Sequence, residues 1–316
     1  MATGQVWSVD ASGGYLYADE LSEVLRTAVQ PLVRFRQLCD TTDAGEKGLH
    51  SGQLYHWDVM SDVATQGGTL VETNTMPETN FTVSQGTLTL TERGNSVPFT
   101  AKLDNFSKLP VERVIQQVLK NDVRKVMDSG AYDQFNLTPL RVVPASSGTS
   151  TTSLSLTTNG TATGTNNIAL GKTHVRLIID TMKERNIPAY DGDDYFMVAH
   201  PTTIRPFMND LESVRQYVDA GFQMIMNGEK GRYEGMRIIE QNAIAKAGFT
   251  NALSNWAFFL GADTVMEGMV VPEEMRGKIP TDFGRSKGVA WYAVNGFGLV
   301  HTLALQARII KWDSAA

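Results

Sequence analysis

The chain has 316 residues, of which 42% are hydrophobic and 20% are charged, as in a globular protein that is long enough to bury its own core. Lysine and arginine total 28 against 34 aspartates and glutamates, and the net charge of −6 argues against a dedicated duplex-binding protein with a strongly basic footprint. The single cysteine, Cys39, excludes an intrachain disulfide framework and a cysteine-based zinc cage. There is no apolar run of about 18 residues and no signal-peptide pattern, so we expect an intracellular protein without a membrane partner.

The first forty residues divide into a polar stretch and a helical pattern. Residues 1–16 hold too few large side chains to bury, so we expect an extended N-terminal arm. From Asp19 to Leu38 apolar residues recur at helical spacing, and acidic residues stand where a helix start favours them. Pro31 interrupts this pattern, so the sequence predicts a kinked first helix or two helical pieces.

Residues 50–105 change to alternating apolar and polar residues. This alternation predicts β-hairpins, punctuated by Gly67, Gly68, Pro77, Gly86 and Gly94. The stretch between Lys47 and Arg93 contains no lysine or arginine, and its acidic residues are Asp58, Asp62, Glu72, Glu78 and Glu92. It is therefore a long acidic β-segment with few residues for a core of its own.

Pro110 opens the strongest helical pattern in the chain, which runs from Val111 to about Phe135. A helix of this length measures roughly 36 Å. The pattern predicts one apolar face, formed by Val111, Val114, Ile115, Val118, Leu119, Val123, Val126 and Met127. On the opposite side Arg113, Lys120 and Arg124 share a basic stripe, which is either a solvated face or a surface that meets an acidic partner.

The remainder of the chain mixes helices and strands without regular βαβ alternation. Residues 146–167 form a low-complexity insert of Ser, Thr, Gly and Asn, which predicts a loop or a loose surface hairpin. The later patterns predict helices at about 173–185 and 201–217, and strands at 195–199, 236–240, 256–260, 289–294 and 299–312. The order of these elements predicts the α+β fold class.

No set of side chains in the sequence supports catalysis, a cofactor site or a metal site. The segment Gly284-Arg-Ser286-Lys-Gly288 has the letters of a nucleophile elbow, but a strand pattern follows the serine where an elbow requires a helix. The acidic run Asp191–Asp194 lacks the closing glutamate of a calcium loop and predicts a turn. His50 and His56 lack a third metal ligand. His301 stands among alternating leucines, which predicts a buried histidine with its hydrogen bonds satisfied.

Four stretches stand out in the order of the segments: Pro31–Cys39, Gly228–Glu240, Gly261-Ala-Asp263 and Asp282–Trp291. Together with the arm, the β-segment, the long helix and the closing strands, they resemble a tailed-bacteriophage major capsid protein of the Hong Kong 97 fold. The closer resemblance is to the coat proteins of N-four-type short-tailed phages. The chain departs from that pattern in having Asp282-Phe283 in place of the usual Asp-Pro, and in the insert at 146–167.

The resemblance implies a non-enzymatic coat protein that self-assembles into hexamers and pentamers of an icosahedral shell around double-stranded DNA. It places the protein in the virion, after assembly in the host cytoplasm. The implied divisions are an N-terminal arm at 1–16, a first helix region of the peripheral domain at 17–49, an extended β-loop at 50–106, a spine helix and peripheral domain at 107–145, the insert at 146–167, an axial domain at 168–280 and closing strands at 281–316.

The resemblance also implies the partners of the chain: other copies of itself, a scaffolding protein, a portal protein, a decoration protein and packaged DNA bound without sequence specificity. Three other functions are alternatives to this one. The first is an encapsulin-type nanocompartment shell of the same fold, which encloses enzymes. The second is an enzyme, which requires a deep pocket lined by converging Asp, His or Ser side chains. The third is another self-assembling β-rich phage part, such as a tail-tube protein, which the long helix disfavours.

The acidic β-segment and the basic stripe of the long helix have opposite charges, which suggests an assembly interface. We expect the acidic segment of one subunit to meet, or to be steered by, the stripe of the next subunit. The residues concerned are Asp58, Asp62, Glu72, Glu78, Glu92, Arg113, Lys120 and Arg124. Gly67 and Gly68 are the expected hinge of the loop. In the alternative, the stripe neutralises packaged DNA on the inner wall of the shell.

Overall fold

The computed structural model describes residues 34–45, 52–63, 67–73, 75–144, 154–158, 162–215, 232–244, 254–279 and 282–315. The chain divides into two compact units. The first unit comprises Met1–Gln53, Leu90–Asp133 and Glu267–Phe297, and the second comprises Leu54–Thr89, Gln134–Met266 and Gly298–Ala316. The predicted arm and most of the predicted first helix lie outside the described residues.

The described residues form both strands and helices, which confirms the predicted α+β class. The strands are β1 Asp40–Asp43, β2 Leu54–Met60, β3 Val83–Thr89, β4 Thr91–Thr100, β5 Leu140–Pro144, β6 Leu154–Thr158, β7 Tyr195–Ala199, β8 Arg232–Tyr233, β9 Met236–Glu240, β10 Ala257–Leu260, β11 Val265–Gly277, β12 Ser286–Leu299 and β13 Ile309–Trp312. The helices are α1 Ala101–Phe106, α2 Val111–Asn136, α3 Lys172–Glu184 and α4 Pro201–Arg215. In this part of the chain no helix has the length and apolar character needed to cross a membrane.

The first unit is built on a four-stranded sheet with the strand order β1-β11-β12-β4. Strand β12 pairs antiparallel with β4 from Ser286 opposite Thr100 to Asn295 opposite Thr91. Alternate residues of a strand share one face, and the buried face of β12 carries Val289, Trp291 and Ala293. Strand β11 was not among the predicted strands, although its first seven residues are mostly apolar.

Helix α2 confirms the long helix predicted from Val111 to about Phe135. The predicted apolar face is wrong at one position, because Val118 is exposed. Met127 is buried as predicted, although it follows Lys120 by two turns and so shares the side of the stripe. Ala131, one further turn along, is also buried. The second half of the helix is therefore covered on the side that its first half exposes.

Hydrogen bonds of the half-buried Asp122 hold α2 on its sheet. Asp122 accepts hydrogen bonds from Trp291 Nε1 and from Asn95 Nδ2, both at 2.9 Å. Trp291 is on β12 and Asn95 on β4, so one carboxylate of the helix binds both of these strands. Further along, Asn295 Nδ2 contacts Met127 Sδ at 3.0 Å. These contacts show that α2 and β12 run in the same direction.

The first described residues form one 3-10 turn, Arg36–Leu38, followed by extended backbone at Cys39. The helix predicted as far as Leu38 is therefore wrong over its last residues. Tertiary contacts override the local pattern, because the Arg36 backbone N–H donates to Asp128 Oδ1 at 3.1 Å. Its guanidinium donates to both oxygens of the fully buried Glu267, at 2.9 and 3.0 Å.

Electrostatics around this turn fix the protonation states of Arg36 and Cys39. Burial disfavours the charge on Arg36, but the hydrogen bonds and charges of Glu267 and Glu273 outweigh it and raise the pKa of the guanidinium. Burial, aided by the charges of Glu267 and Asp40, raises the pKa of the Cys39 thiol. The only thiol of the chain is therefore protonated and unreactive at neutral pH.

The second unit is built on a seven-stranded sheet with the strand order β6-β5-β13-β10-β7-β9-β8. Strand β10 lies at its centre and pairs antiparallel with β13 and β7, while β7 pairs parallel with β9. All four residues of β10 are fully buried, as expected of a central strand covered on both faces. Helices α3 and α4 pack against the sheet and contribute Val175, Ile178, Ile179, Met182, Ile204, Phe207 and Leu211.

The predicted strand at 299–312 is wrong over most of its length. Strand β12 ends at Leu299 and β13 begins only at Ile309, where it pairs with Leu260 of β10. A turn occupies the space between them, closed by a hydrogen bond from the Gln306 backbone N–H to Leu303 O at 3.0 Å. Because Leu303 and Leu305 are exposed on this turn, they do not form a core with His301.

Strands β2 and β3 form a separate two-stranded hairpin in which Trp57 lies opposite Gly86. A Cβ atom at Gly86 would lie 2.2 Å from Trp57 Nε1, so the indole occupies the space of a side chain. Gly86 is therefore inside a strand and not at a predicted turn, and Gly94 is likewise inside β4. Trp57 Nε1 donates to Val300 O at 3.2 Å, which ties the hairpin to the residues that follow β12.

Candidate assembly surfaces

The predicted acidic interface residues are all exposed, but they do not lie on one element. Asp58 is on β2, whereas Asp62, Glu72 and Glu78 lie on the connection between Met60 and Val83, which we call the β2–β3 loop (residues 61–82). Glu92 lies instead on β4 of the first unit, where its Oε1 accepts a hydrogen bond from Tyr292 at 3.3 Å. Four of the five residues therefore belong to the hairpin and its loop.

The β2–β3 loop also exposes large apolar side chains, which its acidic composition does not predict. Glycines Gly67 and Gly68 lie near its middle, with no atom within 4 Å of a Cβ placed on either, and neither has a positive φ. The backbone at these two positions thus accepts other residues. The exposed apolar residues of the loop and of the strand end that follows it are Leu70, Val71, Met76, Phe81 and Val83.

The basic stripe of α2 lies on the surface of the first unit. Arg113, Lys120 and Arg124 are exposed on the first half of the helix, before the side that they share becomes buried at Met127. Within the described part of the chain, these three side chains form no ion pair. Their positive charges are therefore available to a partner outside the subunit.

A third exposed surface lies where β11 leads into β12, at residues 275–279 and 282–285, which we call the hairpin tip. Ile279 is 83% exposed and Phe283 is 110% exposed, while Met275 is partly exposed. Basic residues alternate with these apolar residues along the chain, and each has a partner within the subunit. Arg276 binds Glu274, Arg285 binds Asp282 at 2.8 Å, Lys278 donates to Ser286 at 2.5 Å and Lys287 binds Asp104 at 2.8 Å.

The backbone of the hairpin tip is left-handed at three consecutive residues. The φ angles are 58° at Asp282, 53° at Phe283 and 85° at Gly284. A left-handed phenylalanine is an outlier, because its Cβ crowds the following carbonyl oxygen. Proline cannot occupy position 283 in this conformation, since its ring holds φ near about −65°. The Asp282-Phe283 departure from the Asp-Pro pattern therefore has a backbone consequence.

The structure also locates the residues considered for chemistry. Ser286 begins β12, which confirms the strand expected in place of an elbow helix. Asp191 and Asp194 close a turn by mutual backbone hydrogen bonds, and the buried Asp194 carboxylate binds Arg237 at 2.8 Å. No group of three or more metal-ligating side chains is present in the described ranges. His56 is exposed on β2, whereas His50 lies outside the described residues.

His301 is buried as predicted, but its hydrogen bonds are only half satisfied. Its Nε2 lies 3.3 Å from Asp263 Oδ2, and its Nδ1 has no partner among the described residues. The hydrogen bond from His301 lowers the pKa of Asp263, against partial burial, and the charges of His301 and Arg308 act in the same direction. Asp263 therefore forms a structural ion pair with Arg308, next to His301.

Comparison with known proteins identifies the family of the chain. A family model described as phage capsid protein matches residues 84–307, which is more than half of the chain. No curated protein matches the sequence. The capsid of the cyanophage P-SCSP1u is similar in structure, with a TM-score of 0.66 and 11% identity, and the match covers 94% of this chain and 93% of that chain.

Two further solved structures show the same likeness. The head of Helicobacter pylori bacteriophage KHP40 matches with a TM-score of 0.63 and 12% identity, over 94% of this chain and 95% of that chain. The capsid of cyanophage Pam1 matches with a TM-score of 0.62 and 14% identity, over 95% and 98%. These likenesses confirm the predicted Hong Kong 97 type of fold. The chain belongs to the phage capsid protein family and is a major capsid protein, a structural subunit of the icosahedral shell of a virion.

Proposed function

We propose that the chain forms hexamers and pentamers that close into a shell around double-stranded DNA. The observation that carries this proposal is the β2–β3 hairpin, whose loop exposes large apolar side chains in the single chain. The hairpin is bound to its own subunit through Trp57 and Val300, whereas the exposed apolar side chains of the loop need a further surface to cover them. In a closed shell the neighbouring subunit supplies that surface.

The charges of the hairpin and of α2 support a specific contact between subunits. The β2–β3 loop carries Asp62, Glu72 and Glu78 and has no basic residue. We infer that it meets the stripe Arg113, Lys120 and Arg124 of the next copy, with Gly67 and Gly68 as the hinge of the loop. Each exposed pair contributes at most about 1 kcal/mol. Repetition around the shell therefore fixes the register and the choice of neighbour more than the strength of the contact.

The rival use of the stripe is to neutralise packaged DNA. The two uses differ in the step that fails when the stripe is removed. A stripe that binds the loop is needed for assembly, whereas a stripe that binds DNA is needed only for filling the shell. The exposed acidic loop favours the contact between subunits, because it supplies a complementary charge within the same chain.

The proposed division of the chain follows from the same reading. The first helix region at 17–49 and the spine helix region at 107–145 belong to a peripheral domain. The arm at 1–16, the extended β-loop at 50–106 and the insert at 146–167 are separate divisions. Residues 168–280 form the axial domain, and residues 281–316 are the closing strands. The proposed partners are scaffolding, portal and decoration proteins. We propose that assembly takes place in the host cytoplasm and that the chain is related to the coat proteins of N-four-type phages.

The experiment is expression of the full chain with and without its scaffolding protein, followed by size-exclusion chromatography and negative-stain electron microscopy. Closed shells, or rings of six and five subunits, support the proposal. Nuclease treatment of shells isolated from virions then identifies the contents as protected DNA or as enzyme cargo. A chain that stays monomeric with scaffolding protein present contradicts the proposal.

A further inference from the structure

The hairpin tip carries an apolar side chain that is fully exposed in the single chain. Phe283 is 110% exposed on a left-handed backbone, a conformation that favours glycine over phenylalanine. Ile279 is nearly as exposed, and Met275 adds to the same stretch of chain. Strained backbone that presents a side chain to the outside is typical of a binding site. The hairpin tip is therefore a candidate contact surface for a partner.

The β2–β3 loop has the complementary composition. It pairs each of two exposed apolar stretches with an acidic residue: Val71 precedes Glu72, and Met76 lies two residues before Glu78. At the tip each apolar residue stands beside a basic one instead. Lys278 precedes Ile279, and Arg285 follows Phe283 by two residues. Between Glu274 and Lys287 four basic and two acidic residues leave a net charge of +2, whereas the loop has a charge of −3.

The tip also continues the surface of the basic stripe. Ser286, at the base of the tip, pairs with Thr100, and the backbone N–H of Ala101 donates to Arg285 O at 3.0 Å. Because Asp122 of α2 binds Trp291 and the two elements run in the same direction, the first turn of α2 lies on the tip side of that contact. A segment that follows the stripe from Arg124 back to Arg113 thus approaches the tip.

The length of the loop allows both contacts. The β2–β3 loop has 22 residues between the ends of β2 and β3, so each of its arms can extend to roughly 36 Å. The stripe from Arg113 to Arg124 covers only about 17 Å along the helix. A loop that lies on the stripe therefore has enough chain left to reach past its end.

From these observations we propose that the hairpin tip of one copy, with Phe283 as its apolar anchor, binds the β2–β3 loop of a second copy. The part of the loop concerned is its middle, whose exposed side chains Leu70, Val71 and Met76 cover Phe283 and Ile279 while Glu72 faces the basic residues of the tip. Asp62 and Glu78, on the two arms of the loop, remain for the stripe. The inference rests on the proposed assembly of this chain into a shell. It adds an apolar contact that the charged stripe cannot provide.

The first test is removal of the anchor. The variant Phe283→Ala is assembled with scaffolding protein beside the wild type and Phe106→Ala, a control that removes an exposed phenylalanine of α1 in the same unit. We expect the protein concentration for half-assembly to rise at least tenfold for Phe283→Ala and to stay within twofold for the control. Phe283→Leu, which keeps an apolar side chain, should assemble within threefold of the wild type. Circular dichroism of each free subunit checks that the fold is retained.

The second test identifies the partner residue directly. Shells of the double variant Phe283→Cys with Val71→Cys are oxidised and run on a non-reducing gel beside shells of each single variant. We expect disulfide-linked chains from the double variant alone. If wild-type shells form but Phe283→Ala assembles normally and no link appears, the inference is wrong while the proposed function stands. Links from Phe283→Cys alone mean that tips meet each other, which also contradicts it. Absence of wild-type shells overturns the proposed function itself.

Discussion

Replacing Gly86 with alanine should release the β2–β3 hairpin from the rest of the second unit. The new Cβ would lie 2.2, 2.3 and 2.7 Å from Nε1, Cε2 and Cζ2 of Trp57. Carbon atoms pack at about 3.5 Å or more, so the indole must move by more than about 1 Å. It has little room, because its other end lies 2.9 Å from the position of a Cβ on Gly298.

The magnitude follows from two losses. Displacing the indole breaks its hydrogen bond to Val300 O, which is 3.2 Å long and contributes about 1 kcal/mol. Overpacking the site costs about 1–3 kcal/mol more. A total of about 2–4 kcal/mol raises the population of the undocked hairpin about 30-fold or more. The change is local, so the thermal unfolding of the remaining fold should move little.

Hydrogen exchange followed by mass spectrometry is the assay, because it reports the opening of β2 and β3 separately from the rest of the chain. The matched control is Gly68→Ala, since nothing lies within 4 Å of a Cβ at that position. We expect faster exchange over residues 54–60 and 83–89 in Gly86→Ala alone. Equal exchange in the two variants would refute the reasoning, because it would show that the indole does not hold the hairpin.

Three further predictions concern the stripe, a buried ion pair and the pH dependence of stability. Exchange of Arg113, Lys120 and Arg124 for glutamate should block assembly and leave the thermal unfolding of the subunit unchanged, and normal shells of this variant would contradict the proposed contact. Glu267→Gln removes the buried partner of Arg36 and should lower the free energy of unfolding in urea by about 3 kcal/mol, whereas Glu274→Gln, in an exposed pair, should cost less than about 0.5 kcal/mol. A loss below that level in Glu267→Gln would argue against a buried ion pair. The carboxyl group of Asp263 has a lowered pKa in the folded state. Its contribution to folding stability is therefore present above the pKa that this group has in the unfolded chain, and is lost as the pH falls through its pKa in the folded state. Asp263→Asn should therefore lower stability at pH 7 by less than about 1 kcal/mol, with the difference vanishing as the pH falls below about 4, and a difference that persists in acid would refute the assignment.

The sequence predicts the elements that carry a strong periodic signal. Helix α2 has its predicted start at Val111 because Pro110 fixes the first turn, and β7 has its predicted bounds because a buried central strand is a short apolar run. Strand β11 was not predicted, since its second half is charged and exposed and lacks alternation. The exposure of Val118 was not predicted either, because a helix whose covered side changes along its length breaks the rule of one apolar face.

The candidate surfaces were predicted only in part, because a sequence shows charge but not geometry. Charge is visible in a sequence, so the acidic loop residues and the stripe could be named before the fold was known. The conformation of Phe283 and the fit of Trp57 against Gly86 depend on backbone angles and on contacts between residues distant in the chain. The nearest signal in the sequence was the unusual Asp282-Phe283 pair, which marked the hairpin tip without giving its geometry.

Cryo-electron microscopy of particles assembled from this chain with its scaffolding protein tests the central claim most directly. The account predicts a closed icosahedral shell of hexamers and pentamers in which the β2–β3 loop of each subunit lies on the α2 stripe and the hairpin tip of a neighbour. A closed shell in which that loop contacts only its own subunit would contradict the account.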